Sequence, residues 1–270
     1  MTRRLRGLAV VLVACAATAG CASDLRPAPG ATAPAAVAPP LTRAIITVED
    51  VQRSIEDEKG FTERADRLPR PGEPWFAVLD GCTEVLITAP HATKPTREGQ
   101  LRFADSGTGS LAVALHRLAS ARVIHTTLAS PSDPNFYDDN EFKLAVAAAL
   151  AARKPVLVID LHASREFRPY DVDFGTMRRR SLLGRDDLLA ALSAALRTES
   201  LGNQSLDFFA AAVNQTVTKW VSARGVPAIQ LELSATWLSA GAGSLEAHRY
   251  AQLLQGLVRF VASLGCAQRE

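Results

Sequence analysis

Four side chains have types and positions that fit joint chemistry. His91 follows the apolar run Glu84-Val85-Leu86-Ile87-Thr88-Ala89-Pro90, Asp160 and His162 close the run 155–161, and Glu232 ends the run that begins at Pro227. Two imidazoles and a carboxylate form a common catalytic zinc shell that leaves a fourth position for water. Zinc lowers the pKa of that water to about 7 and polarises a carbonyl. A second carboxylate, Glu232, would take the proton as general base and pass it to a leaving amine. Neutral imidazoles also need acceptors that fix their tautomers, and Asp160 is a candidate. Each residue also has a bland reading: a lone His after a strand is more often a loop or core residue. Glu232 alternates with Gln230 among Ile229, Leu231 and Leu233, which also fits the polar face of a half-exposed strand. The coincidence of three such strand ends favours the chemical reading.

Other mechanisms find less support. There is no GxSxG elbow for a serine hydrolase and no HExxH. Gly107-Thr108-Gly109-Ser110-Leu111-Ala112 has the GxGxxA form, but no strand runs directly into it and no acidic residue ends the next strand. These glycines fit the start of a helix packed closely on a sheet. His116 within a helix, His125 within a strand and His248 on the last helix are read as structural.

The elements that would position the four residues follow from periodicity. Strand-like runs lie near 75–79, 83–89, 122–128, 155–161 and 226–233, and helical runs near 108–119, 140–153, 185–198 and 244–263. A charged stretch at 48–66 fits an N-terminal helix. Between Phe167 and Arg180 the alternation of Val172, Phe174 and Thr176 allows a short strand, and Arg178, Arg179 and Arg180 read as a solvated turn. Strands alternating with helices imply a single α/β domain with a mostly parallel central sheet flanked by helices. Ligands bind such sheets outside the carboxyl ends of the strands, where these residues fall.

The first residues have another purpose. Arg3, Arg4 and Arg6, an apolar run from Leu8 to Ala19 and then Gly20-Cys21 make a secretory signal. The run is shorter than the about 20 residues a spanning helix needs. Small residues before a Cys resemble a bacterial lipobox, although Thr18 stands where an aliphatic is usual. Cys21 is expected to carry lipid, the alternative being a plain signal cleaved nearby. The expected organisation is a signal over 1–20, an Ala/Pro-rich tether over 21–43 and a catalytic domain over 44–270, in a periplasm-facing lipoprotein, with Ala22 and Ser23 compatible with the outer membrane. The formal charge of +2 falls to −1 without the three signal arginines, which is no footprint for nucleic acid. Expected partners are a small-molecule or peptide substrate and, through lipid, a membrane. Cys82 and Cys266 remain for an oxidising compartment. One bridge between them would tie the last helix to the first strands, against the alternative of two separate buried thiols.

Several blocks carry a resemblance. Ala89-Pro90-His91-Ala92, Thr96-Arg97-Glu98-Gly99, Ala104-Asp105, Thr108-Gly109, Asp133-Pro134-Asn135-Phe136-Tyr137, Asp160-Leu161-His162 and Ile229-Gln230-Leu231-Glu232 resemble the N-formylglutamate amidohydrolase family. The likeness covers roughly residues 83 to 260. It implies a zinc carboxypeptidase-like fold, shared with aspartoacylases, and a Zn²⁺ cofactor held by His91, His162 and an acidic residue between them. Carboxypeptidases have a Glu three residues after the first His, where this chain has Lys94. The family's acidic block falls on Asp105, with Glu98 in reserve, and its catalytic glutamate on Glu232. The family has an arginine near the block matched to 129–140, where this sequence has Ser130, Asp133, Asn135 and Asn140. Asn135 is taken as a substrate contact. Arg165 and Arg168 either supply the missing charge to a substrate carboxylate or are surface residues. The implied activity is hydrolysis of a C–N amide bond in a small N-acyl amino acid or short peptide. The alternatives are a metallocarboxypeptidase or peptidoglycan amidase with the same site, and a non-catalytic envelope-binding lipoprotein.

Overall fold

The computed structural model describes residues 43–266. The signal segment, Cys21 and nearly all of the tether lie outside the described residues. The chain runs α1 (Val48–Arg64), β1 (Phe76–Leu79), β2 (Val85–Ala89), β3 (Thr96–Arg97), β4 (Gln100–Leu101), α2 (Thr108–Ala119), β5 (Arg122–Thr126) and α3 (Glu141–Ala152). It continues through β6 (Leu157–Ser164), β7 (Val172–Gly175), a 3-10 turn (Arg180–Leu182), α4 (Asp186–Thr198) and β8 (Gln204–Leu206). The last elements are α5 (Val217–Ser222), β9 (Ala228–Ser234), α6 (Ala235–Leu238) and α7 (Ser244–Ser263).

Seven strands form the central sheet in the order β1-β5-β2-β6-β9-β7-β8. The pairs β5·β2, β2·β6, β6·β9 and β7·β8 are parallel, whereas β1 pairs with β5, and β7 with β9, antiparallel. The sheet is therefore mostly parallel, with antiparallel pairings near both edges that periodicity did not reveal. Period-2 alternation explains the two cores. Val85, Ile87, Leu157, Ile159, Ile229 and Leu231 pack toward α2, α4 and α7. Leu86, Val158 and Ala228, from the same strands, pack on the opposite face against Phe142 and Val146 of α3 and Trp220 of α5. Helices cover both faces, as a buried parallel sheet requires.

On that second face the residues change character along the strands. Leu86 gives way to Thr88, Val158 to Asp160 and His162, and Ala228 to Gln230 and Glu232. The apolar residues hold the sheet against α3 and α5, and the polar ones form the rim at the carboxyl ends. β6 extends to Ser164, so His162 lies within a strand, paired in register with Glu232 on β9.

Local signals explain how the helices dock. Thr47 and Asp50 form a reciprocal capping box that starts α1. Gly107 begins α2 at φ 88°, where an added Cβ would lie 2.7 Å from the Leu238 side chain. A Cβ on Gly109 would lie 2.7 Å from Phe61 of α1, so the two glycines permit close packing rather than nucleotide binding. At the far end, Cys82 and Cys266 form a disulfide that joins the segment after α7 to the entry of β2, where Thr83 and Cys266 also form an antiparallel bridge. Among the described residues, no helix is long and apolar enough to cross a membrane.

Candidate metal centre

Three chain segments bring the donor atoms together. His91 follows β2, Asp105 precedes α2, and His162 lies on β6, the strand beside β2. Their ligand atoms all lie within 4.8 Å of one another. His162 Nδ1 lies 2.7 Å from Asp105 Oδ2, and His91 Nδ1 lies 3.3 Å from the same oxygen. Asp105 is held by its backbone: its N–H donates to His91 O at 2.7 Å, and its carbonyl accepts from Thr108 Oγ1 at 2.6 Å.

Each ring is fixed at its other nitrogen. His91 Nε2 donates to Asp133 Oδ1 at 2.8 Å, while Arg97 Nη2 donates to Asp133 Oδ2 at 2.6 Å. His162 Nε2 lies 3.3 Å from Asp160 Oδ2 and 2.7 Å from Asn135 Nδ2. Asp160 is fully buried and accepts from Thr88 Oγ1 at 2.7 Å. The carboxylate behind His91 Nε2 favours the tautomer whose Nδ1 lone pair faces a shared cation, whereas His162 Nε2 has the Asn135 amide N–H as its nearest partner and Asp160 further off. The donor chemistry of two nitrogens and one carboxylate therefore fits zinc with an open position.

Charge follows this geometry. Burial opposes the protonated form of both imidazoles, but the facing carboxylates prevail: His91 is raised to about 9 and His162 well above its ordinary value. Burial likewise works against ionised Asp105, yet the hydrogen bonds from His162 and His91 hold it at about 2. Without metal, the cluster therefore stores protons that a cation would displace.

Glu232 lies on β9 in the same pocket as His91, Asp105 and His162. Burial raises it to about 7, with the nearby imidazoles lowering it and Asp105 and Asp173 raising it. Its Oε1 accepts from Gln230 Nε2 at 2.8 Å.

The structure separates the other residues singled out from sequence. Asn135 lines the pocket, but its Oδ1 is committed to the Val217 N–H at 2.7 Å. Arg165 and Arg168 do not line it. Arg165 lies 5.9 Å from the Phe103 ring centroid and Arg168 4.9 Å from that of Phe209. β6 runs on past His162, so Arg165 follows the strand's end, while Arg168 stacks over Phe208 and Phe209, two residues of the pocket wall, without lining the pocket itself. Glu98 is also away, paired with Arg102 at 3.1 Å on the surface, because the β3–β4 hairpin turns it outward. Arg97, on the same hairpin, is the cation that does line the pocket. Asp133, Arg97 and Gln230 are functional neighbours that sequence reasoning left unassigned. All three sat inside blocks of the family resemblance, and Gln230 carried the signal of strand alternation as well.

Comparison with known proteins gives no matching family model and no matching curated protein. Among solved structures, the chain is similar to an N-formylglutamate amidohydrolase from Ralstonia eutropha at 13% identity, covering 70% of this chain and 98% of that one, with a TM-score of 0.49. It is also similar to a succinylglutamate desuccinylase from Chromobacterium violaceum at 13% identity, covering 81% and 79%, with a TM-score of 0.44. A metallo-carboxypeptidase from Burkholderia cenocepacia is similar at 14% identity, covering 77% and 68%, with a TM-score of 0.42.

Proposed function

We propose that this chain is a zinc-dependent amidohydrolase that cleaves the C–N bond of a small N-acyl amino acid or short peptide. The observation that carries this is the convergence of His91 Nδ1, Asp105 Oδ2 and His162 Nδ1, backed by Asp133 and Asp160, with Glu232 in the same pocket. When bound, zinc makes water acidic near neutral pH and polarises a carbonyl oxygen.

The protein's own residues supply the rest. Asp133 holds a hydrogen at His91 Nε2 and turns that ring's Nδ1 lone pair inward, while Asp160 and Asn135 fix the orientation of the His162 ring. Gln230 Nε2 occupies Glu232 Oε1, which leaves Oε2 to accept the proton of the attacking water. As the water oxygen bonds to the acyl carbon and the C–N bond breaks, Oε2 delivers that proton to the departing nitrogen. The products are a carboxylic acid and an amine. Arg97 offers a guanidinium to a substrate carboxylate from the pocket wall.

The proposal includes export and lipid anchoring through Cys21. The basic, apolar and small-residue order of the first 21 residues supports it, as does a Cys82–Cys266 disulfide suited to an oxidising compartment.

The test is zinc content after the full chain is offered zinc and then dialysed. About one ion per chain is expected, and His91→Ala and His162→Ala should each lose it. A wild-type chain that kept no zinc would not be a zinc hydrolase.

A further inference from the structure

The pocket is chemically lopsided along the sheet. On the β2 side it is lined by Arg97, whose neighbour Asp133 is a buried carboxylate. On the side of β7 and β8 it is lined by six consecutive apolar residues, Phe208 to Val213. Surface loops between a strand and a helix are exposed segments that carry function more often than core, and this one holds its shape through its backbone. Asp173 accepts from the N–H groups of Phe208 at 3.0 Å and Phe209 at 2.8 Å. Ala210 O accepts from the Met177 N–H at 2.8 Å, and Ala211 O from Thr216 Oγ1 at 2.7 Å. Gly175 lets the loop close onto the site, since a Cβ there would lie 2.5 Å from Phe209 O and 3.1 Å from Gln230 Cβ.

Phe208 is 51% exposed and Val213 91% exposed at this mouth. An apolar wall continuous with a polar, charged floor is the usual lining of a small-molecule site. Exposed apolar surface beside a pocket marks where a ligand covers it. The sheet order sets the polarity of that ligand: carboxylate toward β2, scissile bond over β6 and β9, apolar part toward β7 and β8.

We infer that the substrate is an N-acyl amino acid whose acyl part is an apolar chain longer than acetyl, lying against Phe208–Val213 with the amino-acid carboxylate at Arg97. This rests on the hydrolase proposal for the place of the scissile bond, but binding can be read without turnover.

The experiment is calorimetric titration of the zinc-loaded full chain with N-acetylglycine and N-octanoylglycine, below the micelle concentration. Six added methylenes, partly buried, should tighten binding at least about fiftyfold. That ratio should collapse to a few-fold in Val213→Asp, where a side chain so exposed has no packing to lose, and in Phe208→Ser. Equal affinity for the two ligands, no binding of either, or a gain that survives both variants would overturn the inference. So would capture of neutral phosphatidylcholine vesicles through Val213 without octanoylglycine binding, which would assign the loop to a membrane surface. If octanoylglycine binds more tightly but neither ligand is hydrolysed, the acyl subsite stands and the hydrolase proposal falls.

Discussion

On the β2 side of the rim, Asp105 is a half-buried carboxylate held at about 2, and the buried Asp133 is likewise held well below the usual carboxylate range. Glu232, on the β9 side, is half-buried too and yet is pushed up to about 7 by desolvation. Burial raises all three, so the difference comes from partners. Asp105 receives both imidazoles, and Asp133 receives His91 and Arg97. Glu232 has one neutral amide donor, with the carboxylates of Asp105 and Asp173 near enough to raise it. Carboxylates whose environments drive their pKa values apart divide the work. On the proposed mechanism the low ones would stay ionised beside the imidazoles and the metal, and the high one would exchange a proton near neutral pH.

The comparison can be broken most sharply at Glu232. Glu232→Gln keeps the shape and removes the base, so kcat for an N-acyl amino acid should fall roughly 10²- to 10⁴-fold while zinc content is unchanged. Loss of zinc in this variant would place Glu232 among the ligands instead.

On the opposite side, Asp133→Asn should act through His91. It keeps the volume but weakens the hold on Nε2, and zinc affinity measured against a competing chelator should drop about 10- to 100-fold. The same measurement against pH sharpens the point. His91 retains its proton up to about 9, so zinc must displace it at lower pH. Affinity should rise by about tenfold per pH unit for each imidazole proton displaced, so by up to about a hundredfold while both rings are protonated, with a shallower slope above about 9 once His91 has lost its proton. A pH-independent affinity would mean that the rings are already neutral.

The smallest effect expected is a shift in the pH profile. Glu232 must be ionised to act as base, so kcat/KM should rise with pH and fall off in acid. The metal's charge should place that limb below the about 7 of the metal-free protein. Gln230→Leu removes the donor to Oε1 and should move the limb up by about half to one pH unit. An unmoved limb would show that another group controls it.

Much of this protein is decided locally. Apolar runs of the strand period placed β2, β5, β6 and β9 to within a few residues. Ala- and Leu-rich runs did the same for α2, α3, α4 and α7, because both periodicities are written in nearest neighbours along the chain. His91, His162 and Glu232 were legible as strand-end residues for the same reason. Asp105 and the Asp133 block stood out only through a resemblance of short segments.

What the chain alone did not decide was which residues meet across long loops. Arg97 and Arg165 have equivalent chemistry in sequence, yet only Arg97 lines the pocket. The β3–β4 hairpin folds it back onto Asp133, while β6 carries Arg165 past the site. Asp133 lies 42 residues from His91 in sequence and 2.8 Å away in space. The elevation of Glu232 also comes from desolvation in a pocket that it shares with the 208–213 loop, whose approach to β7 and β9 needs Gly175. Side-chain chemistry is a property of the residue, but desolvation and pairing belong to the packed structure. The sequence therefore determined the candidate donors and their strands, and the tertiary fold decided which carboxylate meets both imidazoles, which one backs a ring and which one is left with a raised pKa.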